Sequence, residues 1–163
     1  MTKVAILGFG TVGSGVAEVL SKNSQGIARR SGGEIQVKYI LDVRDFPDSP
    51  FKDCFVKDFS IIENDPEVDV VVETIGGAKV ALEFTTRALK AGKSVVSSNK
   101  ELVATHGYEL LQLAKANGVS YLFEASVGGG IPILRPLTAC LAANELDQIT
   151  GILNGTTNYI LTR

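Results

Sequence analysis

Apolar and polar residues alternate along the chain in a pattern that predicts strands separated by helices. Short, continuous apolar runs are typical of strands that are covered on both faces of a parallel sheet. Five such runs predict strands at residues 3–7, 34–43, 69–74, 94–97 and 119–123. A further run at residues 146–153 predicts another strand.

Apolar residues at helical spacing occupy the stretches between these strands. We expect helices at residues 11–23, 79–91, about 101–117 and after residue 130, and loops at residues 24–33 and 44–57. In the first helix the apolar residues recur at i, i+4, i+7 and i+8, which is the stripe of an amphipathic helix. In the last helix Leu134, Leu137 and Leu141 share one face, although Pro136 would interrupt its first turns.

Strands that alternate with helices through five units predict an α/β fold. The expected architecture is a doubly wound parallel sheet with right-handed crossovers, a Rossmann-type dinucleotide-binding domain. The chain has 163 residues, a length that suits one domain of roughly 100–150 residues, or one domain and a fragment of another.

Composition excludes several classes of function. The net charge is −2, which gives no electrostatic reason to expect nucleic acid or an anionic membrane as a partner. No apolar run is long enough to span a bilayer. The two cysteines, Cys54 and Cys140, have neither zinc-site spacing nor a disulfide pattern. The N-terminus enters a strand without the pattern of a signal peptide, so a reducing, cytoplasmic setting is expected.

Glycine and unusual polar residues cluster where the predicted strands end. Ligands of doubly wound sheets bind beyond the carboxyl ends of the strands. Those ends carry residues 8–13, 43–44, 74–77, 97–100 and 124–130. Their coincidence at one sheet edge favours a ligand site over five unrelated tight turns.

The first of these segments, Gly8-Phe9-Gly10-Thr11-Val12-Gly13, is a GxGxxG turn between an apolar strand and an amphipathic helix. The first glycine permits the tight turn, the second lets backbone approach a pyrophosphate, and the third lets helix and strand pack closely. The helix N-terminus offers unpaired N–H groups to phosphate. We therefore predict a dinucleotide site here.

The end of the second strand bears on the choice between NAD and NADP. An acidic residue there would hold the ribose 2′-hydroxyl, whereas an arginine would hold a 2′-phosphate. Asp42 and Arg44 are both present, with Lys57 as a possible second cation. We favour NADP, since the planar guanidinium suits phosphate, and Asp42 is equally plausible as a capping or loop residue.

Three other polar groups could take part in chemistry. Lys100 follows the fourth strand, where it could bind a carboxylate, polarise a carbonyl or relay a proton, although a solvated lysine at a helix start is equally plausible. His106 is better explained as a surface residue than as a base. Glu124 and the glycines after it could line a site for a hard cation or a substrate amine, or the glutamate could simply cap nearby N–H groups.

Several motifs together resemble one family, homoserine dehydrogenase. The stretches are VAILGFGTVGSGV, VVVETIGG, SSNKELVA, FEASVGGGIPILRPL and GILNGTTNYIL, in that order. The resemblance covers essentially the whole chain and points to the monofunctional type. It implies reversible, NAD(P)-dependent interconversion of L-homoserine and L-aspartate 4-semialdehyde, on the route to threonine, methionine and isoleucine.

The resemblance also assigns roles to residues of this chain. It implies that Gly8, Phe9, Gly10, Thr11, Val12 and Gly13 bind the adenosine pyrophosphate, that Arg44 reads the 2′-phosphate, and that Thr74, Ile75, Gly76 and Lys100 line the cofactor. Lys100 would lie near the nicotinamide and the reacting carbon. A family sodium site would use Glu124 and the carbonyls of Val127, Gly129 and Ile131. Asn154, Gly155, Thr156 and Thr157 would lie on the substrate side.

Members of this family continue for well over a hundred residues beyond the last of these motifs. We therefore expect residues 1–150 to form the NAD(P)-binding domain and residues 151–163 to begin the catalytic and dimerisation domain, which contributes the main catalytic lysine. The chain alone is expected to bind NAD(P) without useful turnover, and the full enzyme to be a homodimer. Exposed apolar side chains at residues 159–161 should cause disorder or self-association there.

Three rival interpretations remain. Another amino-acid or semialdehyde oxidoreductase, such as an aspartate dehydrogenase, would share the glycine turn but should lack the NGTTNYIL passage. A non-catalytic nucleotide sensor would bind cofactor without a substrate site. A structural remnant would bind nothing.

Overall fold

The fold was analysed in a computed structural model that describes residues 1–151 and 155–162. Its strands are β1 (Thr2–Leu7), β2 (Ile35–Leu41), β3 (Phe55–Val56), β4 (Val70–Glu73), β5 (Ser94–Ser97) and β6 (Tyr121–Leu122). Its helices are α1 (Thr11–Lys22), α2 (Ser24–Ser31), α3 (Phe59–Glu63), α4 (Ala78–Lys90), α5 (Lys100–Ala116) and α6 (Gly155–Leu161).

The six strands form one parallel sheet in the order β3-β2-β1-β4-β5-β6. This order confirms the doubly wound, Rossmann-type fold. The direction of winding reverses between β1 and β4, which are neighbours in the sheet although β2 and β3 lie between them in sequence. Such a switch point leaves a crevice at the carboxyl ends of the strands, and ligands of this fold class bind there.

Each face of the sheet buries its own apolar cluster. One cluster joins β1, β4 and β5 to α3, α4 and α5, with Leu7, Leu89 and Leu102 fully buried. The smaller cluster lies under α1, where Ile6, Ala17 and Ile40 are fully buried. Because side chains alternate between faces along a strand, consecutive residues of β1 belong to different clusters. This explains why its sequence is apolar without interruption.

The amino-terminal edge of the sheet is held by a polar network. Lys38 forms ion pairs with Asp65 at 2.5 Å and with Glu67 at 2.5 Å. The Tyr39 hydroxyl donates to Asp65 at 2.8 Å. The Lys38 ammonium is the main reason that the pKa of Asp65 is lowered to about 2. The buried Lys93 ammonium donates to the Asp65 carbonyl at 2.6 Å, which ties the network to the start of β5.

Two predictions before residue 60 were wrong. The expected loop at residues 24–33 contains α2, which ends at Gly32 in the left-handed conformation with φ +76°. This helix buries no residue, so it left no apolar period to detect. The expected loop at residues 44–57 ends in β3, which is only two residues long and lies at the sheet edge.

Of the two elements expected after residue 130, one is shorter than predicted and the other does not form in the described residues. The stretch that carries Leu134 and Leu137 is helical only over residues 134–140, and Pro136–Cys140 is a π-helical turn. Pro136 lacks the N–H that a regular helix would need at this position. The strand expected at residues 146–153 does not form over residues 146–151, where Leu146 and Ile149 are exposed; residues 152 and 153 lie outside the described part.

Within the described residues, no helix combines the length and apolar character required to cross a bilayer. The last helix, α6, exposes Tyr159, Ile160 and Leu161 to solvent by more than half of their surface. The expected apolar exposure at these positions is therefore confirmed, while the self-association that it should cause stays a prediction.

Candidate functional site

The glycine turn between β1 and α1 packs against the end of β4 with no spare volume. Gly8 has φ +91°, and a Cβ there would lie 3.2 Å from the Thr74 carbonyl oxygen. A Cβ on Gly13 would lie only 1.9 Å from the Gly8 carbonyl oxygen and 2.9 Å from Thr74 Oγ1. The first and third glycines are therefore required by close backbone packing, as the GxGxxG spacing predicts.

Thr74 holds this packing from the β4 side. Its hydroxyl donates to the Leu7 carbonyl at 2.8 Å and to the Gly8 carbonyl at 3.1 Å. The Gly8 N–H donates to the Leu41 carbonyl at 2.8 Å. The turn is thus joined to the strands on both sides of the switch point, which fixes the backbone that would face a pyrophosphate.

The N-terminus of α1 is open above this cradle. Gly10 and Thr11 are exposed, and a Cβ on Gly10 would meet no atom within 4 Å. No side chain caps the helix, and its first turn carries no acidic residue. The partial positive charge of the helix end is therefore uncompensated, and this is the environment that binds phosphate.

Asp42, which follows β2 directly, is saturated by donors from the chain itself. Its Oδ1 accepts from the Arg44 amide at 2.9 Å and from Arg44 Nε at 3.0 Å. Its Oδ2 accepts from the Phe9 amide at 2.7 Å and from Arg44 Nη2 at 2.9 Å. The Arg44 guanidinium is the main reason that the pKa of Asp42 lies well below its usual range. Asp42 thus keeps no free lone pair for a ribose hydroxyl.

Arg44 is presented at the mouth of the crevice. Its side chain is 59% exposed, whereas that of Asp42 is 6% exposed. The guanidinium carbon lies 5.1 Å from the centre of the Phe46 ring, a cation–π contact that adds to the two bonds to Asp42. Arg44 is therefore held in place on one side while its remaining N–H groups face solvent.

Lys57, suggested by the sequence as a possible second cation, contacts the segment that carries Arg44. Its Nζ donates to the Arg44 carbonyl at 2.6 Å and to the Val43 carbonyl at 3.2 Å. It also forms an ion pair with Asp45 at 2.7 Å. These contacts shape the backbone after β2 and help to position Arg44, while the role of Lys57 as a second cation stays a prediction.

A cavity of about 490 Å³ joins these elements at the carboxyl edge of the sheet. Its wall brings together several of the residues expected to bind cofactor, namely Gly8, Gly10, Arg44, Thr74, Ile75 and Gly76. Val80 and Phe84 of α4 add an apolar side. A second cavity, of about 610 Å³, lies between α1 and the segment after Arg44. We do not assign it to the cofactor, since its wall is built from helix and loop rather than from strand ends.

Lys100 lies beside the crevice rather than in the wall of its cavity. It is exposed and is the first residue of α5. Asn99 precedes it and donates from Nδ2 to the Ile75 carbonyl at 3.1 Å and to the Gly77 carbonyl at 2.8 Å. The start of α5 is thereby fixed to the segment after β4. His106 lies further along α5, where its Nδ1 is 3.4 Å from Glu109.

Glu124 acts as a backbone cap in this structure. Its Oε1 accepts from the amides of Ile133 at 2.6 Å and Leu134 at 2.9 Å, and its Oε2 accepts from the Arg135 amide at 2.8 Å. These amides lower the pKa of the carboxyl group. Because a cation needs oxygen ligands and three N–H groups already bind this carboxylate, the Glu124 side chain does not fit a sodium ion in this arrangement.

The remaining expected site residues lie in the last part of the chain, after β6. Asn154 lies outside the described residues. Gly155, Thr156 and Thr157 form the beginning of α6. Val127, Gly129 and Ile131, whose carbonyl groups were expected as sodium ligands, lie in the turn after β6. There the Ile131 backbone N–H donates to the Gly128 carbonyl at 3.1 Å.

A buried polar group beneath the crevice was not predicted from the sequence. Glu73, Ser97 and Asn99 are linked by hydrogen bonds, and the first two are fully buried. A glutamate inside the apolar run VVVET was the available signal, because a charged residue in a strand covered on both faces requires a specific partner. The role of Phe46 under Arg44 was also missed, and no local pattern indicates it.

The chain matches known families along nearly its full length. The family model described as homoserine dehydrogenase, NAD binding domain, matches residues 8–124, and the homoserine dehydrogenase model matches residues 132–163. A homoserine dehydrogenase from Pseudomonas aeruginosa is 44% identical over 161 residues, covering 98% of this chain and 37% of the relative. The one from Bacillus subtilis is 42% identical over 166 residues, covering 99% and 38%. This chain thus spans less than two fifths of the length of these relatives.

Solved structures give the same result. The crystal structure of a homoserine dehydrogenase from Thiobacillus denitrificans has a TM-score of 0.89 at 41% identity, covering 98% of this chain and 38% of that one. A hyperthermophilic archaeal homoserine dehydrogenase in complex with NADPH has a TM-score of 0.69 at 29% identity, covering 83% and 47%. With the nucleotide-binding model matched across most of its length, the chain belongs to the homoserine dehydrogenase family.

Proposed function

We propose that this chain is the nucleotide-binding portion of an NADP-preferring homoserine dehydrogenase. The observation that carries the proposal is the cradle formed by Gly8, Gly13 and Thr74 at the switch point, with an uncapped helix end above it and Arg44 beside it. The family supplies the reaction, and the cradle supplies the place where the cofactor would bind.

The orientation of the dinucleotide follows from the charges around the crevice. The pyrophosphate would lie on the amides at the N-terminus of α1, which are the nearest unpaired donors. The adenosine half would lie toward β2 and Arg44, with Val80 and Phe84 beside its ring. The nicotinamide would then extend over residues 74–76 toward Lys100, on the side of β4 and β5.

The preference for NADP is supported by how Asp42 and Arg44 share their hydrogen bonds. A 2′-hydroxyl would need a free carboxylate acceptor, but all four bonds to Asp42 come from the chain. A 2′-phosphate would instead meet the exposed guanidinium of Arg44, which retains donors that point away from Asp42. The site as built therefore favours the phosphorylated cofactor.

The reaction proposed for the whole enzyme is the oxidation of L-homoserine to L-aspartate 4-semialdehyde and its reverse. Bound NADP⁺ would accept a hydride from the hydroxyl-bearing carbon of homoserine, and a base would take the hydroxyl proton. Lys100 would contact the nicotinamide or the substrate and could relay this proton. The main catalytic lysine and the contacts that make a homodimer are assigned to the part of the enzyme that follows residues 1–150.

Within this assignment, residues 151–163 would begin the substrate and dimerisation domain, and residues 154–157 would contribute to substrate binding. The setting would be the cytoplasm, where homoserine and NADP are both available. A sodium ion at Glu124 is not part of the proposal, because the carboxylate is occupied by amide donors.

Calorimetric titration of the chain with NADPH and with NADH tests the cofactor assignment. We expect NADPH to bind at least about tenfold more tightly, since charge-assisted hydrogen bonds to one phosphate are worth roughly 1.5–3 kcal/mol. In Arg44→Ser, NADPH should lose its preference, and NADH should bind as tightly as before or more tightly, because two acceptor positions of Asp42 become free for the ribose 2′-hydroxyl. Tighter binding of NADH than NADPH by the wild-type chain would refute the NADP assignment, and absence of binding by either would refute the nucleotide site.

A second experiment tests the division of labour between this chain and the rest of the enzyme. With homoserine and NADP⁺, the chain alone should show no steady formation of NADPH by absorbance. Sustained turnover would show that the described residues already hold a complete catalytic site.

A further inference from the structure

The segment after β4, residues 74–77, forms the floor of the proposed nicotinamide side. Hydrogen bonds to buried side chains beneath it hold this segment in place. Glu73 is the last residue of β4 and its side chain is completely buried. Its Oε1 accepts from the Ile75 amide at 2.7 Å, and its Oε2 accepts from the Ser97 hydroxyl at 2.6 Å. Glu73 and Ser97 are direct partners in the register of β4 and β5.

The same network continues to the start of α5. The Ser97 hydroxyl oxygen accepts from the Asn99 amide at 3.1 Å. The Asn99 side chain then donates to the carbonyls of Ile75 and Gly77, while its Oδ1 caps α5 by accepting from the Leu102 amide at 3.0 Å. One chain of hydrogen bonds thus sets the backbone at residues 75–77 and the position from which Lys100 projects.

A buried carboxyl group is costly unless its bonds are specific. Among the described residues Glu73 forms no ion pair, and burial raises the pKa of its carboxyl group despite the two hydrogen bonds. An apolar residue would fill this position in the core at lower cost. The presence of a buried glutamate therefore calls for a structural explanation, and the atoms that it contacts are those of the crevice floor.

We propose that Glu73 is a positioning residue that fixes the cofactor-facing segment 74–77 and, through Ser97 and Asn99, the placement of Lys100. This inference rests on the proposed cofactor site. The required property is the acceptor geometry of the side chain rather than its charge, because both contacts to it are made by hydrogen-bond donors.

Glutamine can reproduce most of this geometry. In Glu73→Gln the amide oxygen can accept from the Ile75 amide, and the amide nitrogen can donate to Ser97 Oγ. The Ser97 hydroxyl would then need an acceptor. The buried Tyr121 hydroxyl interacts with Ser97 but forms no well-aligned hydrogen bond in the described part of the chain, so it can take this role. Glu73→Leu has a similar volume but removes both bonds.

Val71→Ala provides a matched control. Val71 lies two residues earlier in β4, so its side chain points to the same face, and it is also completely buried. This substitution should lower the melting temperature by creating a cavity, without touching residues 74–77. A fourth variant, Asn99→Ser, keeps a side-chain oxygen that can cap α5 but loses the donor to Ile75 and Gly77.

The test measures NADPH affinity by fluorescence titration for wild type and all four variants, alongside melting temperature. We expect Glu73→Leu and Asn99→Ser to weaken binding about tenfold, the scale of one or two lost hydrogen bonds, and Glu73→Gln and Val71→Ala to stay within about threefold of wild type. Equal affinity of Glu73→Leu, Asn99→Ser and Val71→Ala would overturn the inference. If Glu73→Gln bound NADPH weakly while Asn99→Ser bound it tightly, the charge of Glu73 would be required instead of its acceptor geometry, and the inference would be overturned.

Amide hydrogen exchange separates this inference from the function on which it rests. In the absence of cofactor, Glu73→Leu should speed exchange at the Ile75 amide by at least about tenfold relative to Val71→Ala, because its acceptor has been removed. Failure of wild type to bind either cofactor would refute the proposed function. Unchanged exchange at Ile75 would refute the positioning role even when the wild-type chain binds NADPH normally.

Discussion

A methyl group added at Gly13 gives the most direct test of the glycine cradle. In Gly13→Ala the new Cβ would lie 1.9 Å from the Gly8 carbonyl oxygen and 2.9 Å from Thr74 Oγ1. The first contact, between the Cβ and a backbone oxygen, cannot be relieved by a change of rotamer, because the position of both atoms is set by the backbone. The N-terminus of α1 must therefore move away from the turn by more than about 1 Å before an ordinary carbon–oxygen contact is reached.

Gly15 offers a matched control in the same helix. A Cβ there would meet nothing within 4 Å, so Gly15→Ala adds helix propensity without a clash. We expect it to stabilise the fold by about 0.5–1 kcal/mol. Gly13→Ala gains the same propensity, but overpacking should cost about 1–3 kcal/mol or more. For a chain of this size the two melting temperatures should differ by about 2 to 12 °C.

Thermal melting by circular dichroism measures this difference, and NADPH titration measures its consequence at the site. Since the displaced turn carries the amides that would face the pyrophosphate, Gly13→Ala should also weaken NADPH binding by at least about tenfold. Gly15→Ala should leave the affinity unchanged. A Gly13→Ala protein that melts at or above the wild-type temperature would refute the packing argument.

Three further predictions concern other parts of the chain. The pKa of Asp65 is lowered from 3.8 to about 2 in the folded state. The Asp65 ion pair therefore stabilises the fold above about pH 3.8, and this stabilisation is lost as the pH falls toward 2. In Asp65→Asn, the urea concentration at the unfolding midpoint should consequently fall less between about pH 5 and pH 2 than it does in wild type. Exchanging K⁺ for Na⁺ should leave the melting temperature unchanged, since Glu124 is occupied by amides; a sodium-specific rise of more than about 2 °C would restore the sodium interpretation. The double variant Ile160→Glu/Leu161→Glu should reduce concentration-dependent self-association in sedimentation experiments. The control Val43→Glu, which changes another exposed apolar residue, should leave self-association unchanged.

The sequence was most informative where structure depends on short-range constraints. The β1–α1 unit could be predicted because an apolar strand, a GxGxxG turn and an amphipathic stripe all specify the same geometry within twenty residues. Residues 94–97 form β5 as expected, since its Ser-Val-Val-Ser pattern is bounded by Gly92 and by the Asn99 cap of α5. These elements carry their own start and stop signals.

Elements that lack such signals were missed or wrongly assigned. The strand β3 has two residues and is a strand only because Phe55 and Val56 pair with the end of β2. The residues after 130 have an apolar period, but Pro136 and the absence of a covering surface in the described chain leave helical structure only over residues 134–140. Apolar periodicity predicts which face a helix would bury, and it cannot show that a partner for that face is present.

The acidic residues at the strand ends show the same limit at the level of chemistry. In the sequence, Asp42 was a candidate to hold a ribose and Glu124 a candidate to hold a cation. In the structure both carboxylates, and that of Glu73, accept backbone amides of the segments that follow or adjoin their strands. A carboxylate that organises a loop turns its charge toward protein N–H groups and away from the crevice. The surface left for an anionic dinucleotide then consists of the uncapped end of α1 and the exposed part of Arg44. The acidic residues therefore build the site, while amide and guanidinium donors are the groups that would bind the cofactor.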